Sequence, residues 1–260
     1  MITLSTGELA TWLGRLFWPF VRIGACLMVA PAFSATTVPV RIRIVLAGAI
    51  ALVVAPLVPS PEVPSPLSAA GVVVTLQQVV IGVALGFSLR IIFDAVEIGG
   101  QLIANSMGLS FAYNVDPLHG TETPVVGQLY GILVLLTFLA LDGHLRLIET
   151  LAAGFHTLPV GTAGLGTGGL WQLIEWGTQI FGAALAIALP GVAALTIVHL
   201  AFGVMSRAAP QLNLIAVGFP ISLLLGLFIV FASLPMLQSR FVRLIGDAFR
   251  MVRGLSGAGV

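Results

Sequence analysis

Residues 176–206 and 208–239 form two runs of 31 and 32 residues without a formal charge, separated only by Arg207 and flanked by Glu175 and Arg240. A helix needs only about 20 apolar residues to cross the hydrocarbon core of a bilayer. Two such runs in succession exclude an ordinary soluble monomer. The composition agrees: 58% of the 260 residues are hydrophobic and 8% are charged, against about 25% charged in soluble domains. The chain is a membrane or membrane-assembly protein.

Eleven basic residues stand against ten acidic ones, for a net charge of +1. That balance supplies no basic surface to track phosphates, so no nucleic-acid partner is expected. Every basic residue is Arg, which reflects either genome composition or a use for buried, bidentate pairing. Cys26 is the single cysteine, which excludes an internal disulfide, a thiolate metal cage and an iron–sulfur cluster. The segment Met1–Ala10 carries no base and one acid, Glu8, and Arg15 and Arg22 interrupt the apolar run behind it. A secretory signal has the opposite pattern, so a retained helix is expected, opened by Ser5 and Glu8 as a capping box.

Periodicity and punctuation predict an all-α protein. A first helix covers about 8–30, with Pro19 inside and aromatics at Trp12, Phe17, Trp18 and Phe20. A turn over Pro31–Pro39 leads to a second helix at about 41–57, and five prolines in Pro56–Pro66 make an extended connector. A third helical region is expected at 68–101 and a fourth, Gly-rich stretch at 99–115, ending at Asp116-Pro117 and a polar loop to 124. One clean span follows at 123–141, then an amphipathic helix near 145–155, a loop at 161–169, and two long segments at 170–206 and 212–238. The tail, Arg240–Arg253, sets four Arg against one Asp, which by the positive-inside tendency predicts a cytoplasmic C-terminus.

Charges inside the apolar segments are the anomaly. Arg15 and Arg22 lie seven apart, on one helical face, and a central Arg costs about 2.5–3.5 kcal/mol on the insertion scale. That face is expected to meet protein; snorkelling to the interface is the plainer alternative. Arg90, Asp94 and Glu97 share a stripe and read either as a local ion pair or as an inter-subunit or pore-facing group.

Chemical motifs are lacking. His119, His144, His156 and His199 fall in separate segments without H-E-x-x-H, so no metal site is expected, and no cofactor. Residues 164–169 match G-x-G-x-x-G without the strand and βαβ context it requires, which leaves a flexible loop. No G-x-S-x-G is present. Pro19, Pro56, Gly99-Gly100, Pro190-Gly191 and Gly218 with Pro220 interrupt helices. In a membrane such backbone is buried in protein or lines a water-filled cavity; kinks repaired by neighbouring helices are the alternative. Residues 107–123 pass from Met and aromatic side chains into a polar turn, a segment suited either to seal an opening or to act as an ordinary loop over its own hydrophobes.

Several stretches, in order, carry a resemblance: Phe17-Trp18-Pro19 with Arg22; Pro31 with Pro39-Val40-Arg41; Gln77 to Phe87; and Met107 to Ala112 with Val115-Asp116-Pro117. Gly143-His144-Leu145, Phe155 to Pro159, Ala188-Leu189-Pro190, Arg207 to Leu212 and Gly218-Phe219-Pro220 follow. Together they resemble the FliR family of the type III secretion export gate. The resemblance implies an all-helical, non-enzymatic subunit of a helical hetero-oligomeric ring. Its partners would be FliP-type and FliQ-type subunits, a nearby FlhB-type protein, unfolded export substrates and inner-membrane lipid. About 1–185 would be FliP-like and about 186–260 a FliQ-like hairpin. By motif, Met107, Leu109, Phe111 and Tyr113 would plug the pore and Asp116-Pro117 would turn the chain, while Arg15, Arg22, Arg90, Asp94, Glu97 and Arg207 would be buried charges or subunit contacts. A small-molecule transporter would require an inverted repeat of broken helices, which the sequence does not display. An intramembrane hydrolase would require a facing nucleophile and base.

Overall fold

A computed structural model of the chain describes residues 6–35, 38–58, 66, 68–109, 125–161, 164–208 and 214–257. Among the described residues there are eight α-helices, one 3-10 turn and no strand. The helices are α1 (Thr6–Val29), α2 (Val40–Val54, continued by the 3-10 turn Ala55–Leu57), α3 (Ala69–Ser106), α4 (Val125–Ala140), α5 (Gly143–Thr157), α6 (Thr167–Gly177), α7 (Gln179–Ala208) and α8 (Leu214–Gly257). Val40–Leu57, Ala69–Ser106, Thr167–Ala208 and Gly218–Leu255 are long and apolar enough to cross a membrane, and α4 with α5 qualify together as a broken pair. Ser5 of the expected capping box lies outside the described residues, as does most of the Pro56–Pro66 connector.

Three expected boundaries move. The segment expected at 170–206 is parted at Thr178 into α6 and α7, and α6 opens at Thr167, inside the expected 161–169 loop. The third and fourth apolar stretches are one helix, because α3 runs through Gly99-Gly100 without a break. Glycine in a helix interior costs about 1 kcal/mol relative to Ala, but here it lets neighbours approach. A Cβ at Gly100 would lie 2.9 Å from the Cα of Gly127, and one at Gly99 3.1 Å from the carbonyl oxygen of Ala184. These glycines are packing notches, not hinges. The arginine-rich tail is likewise continuous with the last apolar segment, making α8 44 residues long.

The chain divides into two compact units. The first comprises Met1–Ile91, Phe138–Gly177 and Ile245–Val260. In it α2 packs on α1 through Ala47, Ile50, Ala51 and Val54, which the 3.6-residue period places on one face. Gly82 and Gly86 of α3, four residues apart, lie against the backbone of α1. A Cβ at Gly82 would collide with the Arg22 carbonyl oxygen, and one at Gly86 would stand 2.6 Å from that of Cys26. This is the small-xxx-small contact by which membrane helices approach closely. The amphipathic α5 turns Leu147, Leu151 and Phe155 inward. Its entry is tight: Asp142 adopts φ 55, a left-handed conformation Asp tolerates better than most residues, and a Cβ at Gly143 would strike the Phe138 ring.

The second unit comprises Ile92–Thr137 and Thr178–Leu244. Here α4 repeats the glycine spacing, with Gly127 and Gly131 against α3 at Glu97: a Cβ at Gly131 would meet Glu97 Oε1 at 2.6 Å. Ala183 and Ala184 of α7 pack on Ala95, ringed by Ile98, Ile180 and Leu244. Phe93 and Phe241 meet edge to face, centroids 5.3 Å apart, an arrangement worth about 0.5–1.5 kcal/mol beyond burial.

Candidate functional site

The expected plug segment begins where α3 ends, in the second unit. Leu109 N–H donates to the Ala104 carbonyl at 3.2 Å and Gly108 N–H to that of Asn105 at 3.0 Å. Gly108 has φ 85. Paired six-to-one and five-to-two bonds around a left-handed glycine are a Schellman cap, so the local sequence stops the helix and redirects the chain at this point. Met107 is buried, and its side chain fills the space over Gly226 of α8. Leu109 is partly buried. Phe111, Tyr113, Asp116 and Pro117 lie outside the described residues.

Arg22 is fully buried in the first unit. Its Nε donates to Gln78 Oε1 at 2.7 Å, Nη1 to the Gly154 carbonyl at 3.1 Å and Nη2 to the Leu158 carbonyl at 2.9 Å. The guanidinium carbon stands 4.1 Å from the centroid of the Phe155 ring. The planar fork thus sits on the C-terminal end of α5, where the helix dipole favours a cation; the Gly154 carbonyl also accepts the Leu158 N–H at 2.9 Å, and each of these three acceptors is neutral.

Arg15, on the same helix as Arg22, is exposed, and Arg207 is exposed in the last turn of α7. Arg90 is partly buried and donates to Ser34 Oγ at 3.3 Å. Asp94 and Glu97 are partly buried, Glu97 at the α4 glycines.

Arg240 was expected only as part of a basic tail. Its Nη1 donates to the carbonyl of Ala186 at 2.7 Å, the oxygen that Pro190 leaves without a helical donor. Arg240, Pro190, Gly191 and the hydrogen-bonded pair Tyr130–Ser233, 2.8 Å apart, line a cavity of about 260 Å³ in the second unit. Pro190 was legible in the sequence; its partner, 50 residues away, was not.

A larger cleft, about 510 Å³, opens in the first unit among α1, α3, α5 and the end of α8. Ile81, Leu85, Phe249 and Val252 give it apolar walls, and Arg22, Arg146, Arg253 and Glu149 supply its charge. Among the described residues no group of three His, Cys, Asp or Glu side chains is placed to hold a metal ion. A Ser–His contact does occur, His199 to Ser222 Oγ at 3.2 Å; it ties α7 to α8, and neither residue lines the two cavities above.

The profile of the family described as bacterial export proteins, family 1, matches residues 13–248. The flagellar biosynthetic protein FliR of Escherichia coli K12 is 36% identical over 252 residues, spanning 97% of this chain and 96% of that protein. FliR of Pectobacterium carotovorum is 38% identical with the same coverage, and FliR of Aquifex aeolicus is 29% identical over 91% of each. This chain belongs to the FliR family. It is a flagellar biosynthesis export protein, and its apolar helices fit an inner-membrane location. Two of the stretches that carry the FliR resemblance sit at the contacts just described. Gln77 to Phe87 holds Gln78 and both α3 notches, and Phe155 to Pro159 holds the ring under Arg22 and one of its carbonyl acceptors.

Proposed function

We propose that this chain is a non-enzymatic subunit of the flagellar type III export gate, forming part of the channel through which unfolded flagellar proteins leave the cytoplasm during flagellum assembly. The observation that carries this is the uneven burial of its apolar helices. In α3, 67% of the most apolar window is buried within the chain, against 28% for Thr167–Ala208 and 22% for Gly218–Leu255. Phe181, Leu185 and Leu189 form an exposed row on α7, and Leu224, Leu227, Phe228 and Phe231 another on α8. Faces of this size require lipid or protein, and exposed Arg15 suits a protein neighbour better than hydrocarbon.

In this reading FliP-type and FliQ-type subunits close a helical ring around the pore with this chain, and an FlhB-type protein lies nearby. The part to about residue 185 takes a FliP-like position and the rest a FliQ-like one. Met107, Leu109, Phe111 and Tyr113 form the plug, and Asp116-Pro117 its turn. Arg240–Arg253 holds the C-terminus on the cytoplasmic side. Purification in mild detergent after cross-linking, followed by mass measurement, tests the reading. A complex containing the sister subunits is expected; a lone, active 27.0 kDa species would overturn it.

A further inference from the structure

The 510 Å³ cleft of the first unit lies within the range of about 300–1,000 Å³ typical of ligand sites. Its lining is divided. One wall is apolar, from Ile81 and Leu85 of α3 and Phe249 and Val252 of α8, and the charged part carries three guanidinium groups against one carboxylate, Glu149. Arg22 is held by its three neutral acceptors in the depth of that lining, so its charge adds to the positive potential without being available to leave. Arg146 is exposed, and Arg253 is anchored through Nε to the Phe249 carbonyl at 3.3 Å. Arg250, outside the cleft lining, is paired with Asp247 within its own helix.

Two glycines keep the space open. Gly154 and Gly246 both line the cleft, and a Cβ at either would meet no atom within 4 Å.

We infer that this cleft binds one anionic phospholipid, with its phosphodiester between Arg146 and Arg253 and its upper acyl chain along the Ile81, Leu85, Phe249 and Val252 wall. Arginine suits this ligand because its planar fork takes two phosphate oxygens at once, and basic pockets beside membrane helices select anionic headgroups.

The test uses the full-length protein in the complex it forms, purified in mild detergent. Palmitoyl-oleoyl phosphatidylglycerol, palmitoyl-oleoyl phosphatidylcholine and inorganic phosphate are titrated separately, with lipid adducts read by native mass spectrometry and stability by thermal unfolding. Phosphatidylglycerol is expected to be retained at least tenfold more tightly than phosphatidylcholine, and phosphate to have no effect. The double variant R146Q/R253Q should lose at least tenfold in retention. Gly246→Leu should lose as much with every charge intact, and Glu149→Gln should gain. The control R41Q/R243Q, two exposed arginines outside the cleft, should match the parent. Equal retention of the two lipids, an effect of phosphate equal to that of phosphatidylglycerol, or unchanged retention in both R146Q/R253Q and Gly246→Leu would overturn the site. Loss of a co-purifying protein instead of a lipid from Gly246→Leu would make the occupant a polypeptide and also overturn it.

Discussion

Arg240 Nη1 donates a 2.7 Å hydrogen bond to the carbonyl oxygen of Ala186. Pro190, four residues on, has no N–H to give that oxygen. In a bilayer an unsatisfied carbonyl costs several kcal/mol, so a proline inside an apolar helix persists where a neighbouring group repairs it. The arginine gains as well, since intramembrane cations commonly rest on backbone carbonyls. One contact therefore accounts for two features that look unfavourable when each is considered alone.

If the bond is a repair, the two sites are coupled. Arg240→Leu should destabilise the second unit by about 1–3 kcal/mol, the range for leaving a buried acceptor unmade. Pro190→Ala restores a helical N–H, so in that background Arg240→Leu should cost at least about 1 kcal/mol less. Thermal unfolding of the four proteins in detergent completes the cycle. Strict additivity would show that Arg240 does not serve the Pro190 gap.

Arg22 and Arg15 share a face but should respond differently. Arg22→Leu removes three charge-assisted hydrogen bonds from a buried site, each worth about 1.5–3 kcal/mol, so a loss of at least about 3 kcal/mol is expected. Arg22→Lys should recover little, because one ammonium cannot span Gln78 and two carbonyls or lie flat over Phe155. Arg15→Leu should leave unfolding within about 0.5 kcal/mol of the parent, as surface changes do, while lowering co-purification of sister subunits. Normal co-purification would remove Arg15 from the subunit contact.

The glycine notches give a graded prediction. Gly82→Ala and Gly86→Ala place a methyl group against the backbone of α1 and should cost about 1–3 kcal/mol, as overpacking does. A methyl group at Gly48, on α2, would meet nothing within 4 Å; Gly48→Ala should be neutral or stabilise by up to about 1 kcal/mol. A limited-proteolysis series reads the order. A stable Gly82→Ala protein would mean that α1 and α3 are not in the close contact described.

What the sequence made legible was local. The uncharged runs marked α7 and α8, the expected amphipathic helix at 145–155 is α5, and the chain turns after Val29 near Pro31. The continuous α3 was not legible, because a glycine pair reads as a break until the helix that crosses it is known. The basic tail read as a separate element because its charge rises, yet Phe241, Ile245, Ala248, Phe249, Val252 and Leu255 continue a buried helical face. The partners of Arg22 lie 56 to 136 residues away, beyond any local pattern. The four-residue spacing of Gly82 with Gly86, and of Gly127 with Gly131, was present in the sequence and marks both close helix contacts.

The plug can be tested at two strengths, because Met107 is tied to α8 while the residues after Leu109 follow the glycine cap. Deleting Leu109–His119 removes most of the segment but leaves α3 intact. The assembled complex, reconstituted in planar membranes, should then conduct small ions that the parent holds back. Gly226→Val is milder: it inserts methyl groups where the Met107 side chain sits, which forces Met107 to move. Conductance intermediate between the parent and the deletion is expected, since a Met side chain adapts to a displaced wall without leaving it. Unchanged conductance in the deletion, with sister subunits still present, would show that Leu109 to Pro117 does not close the pore.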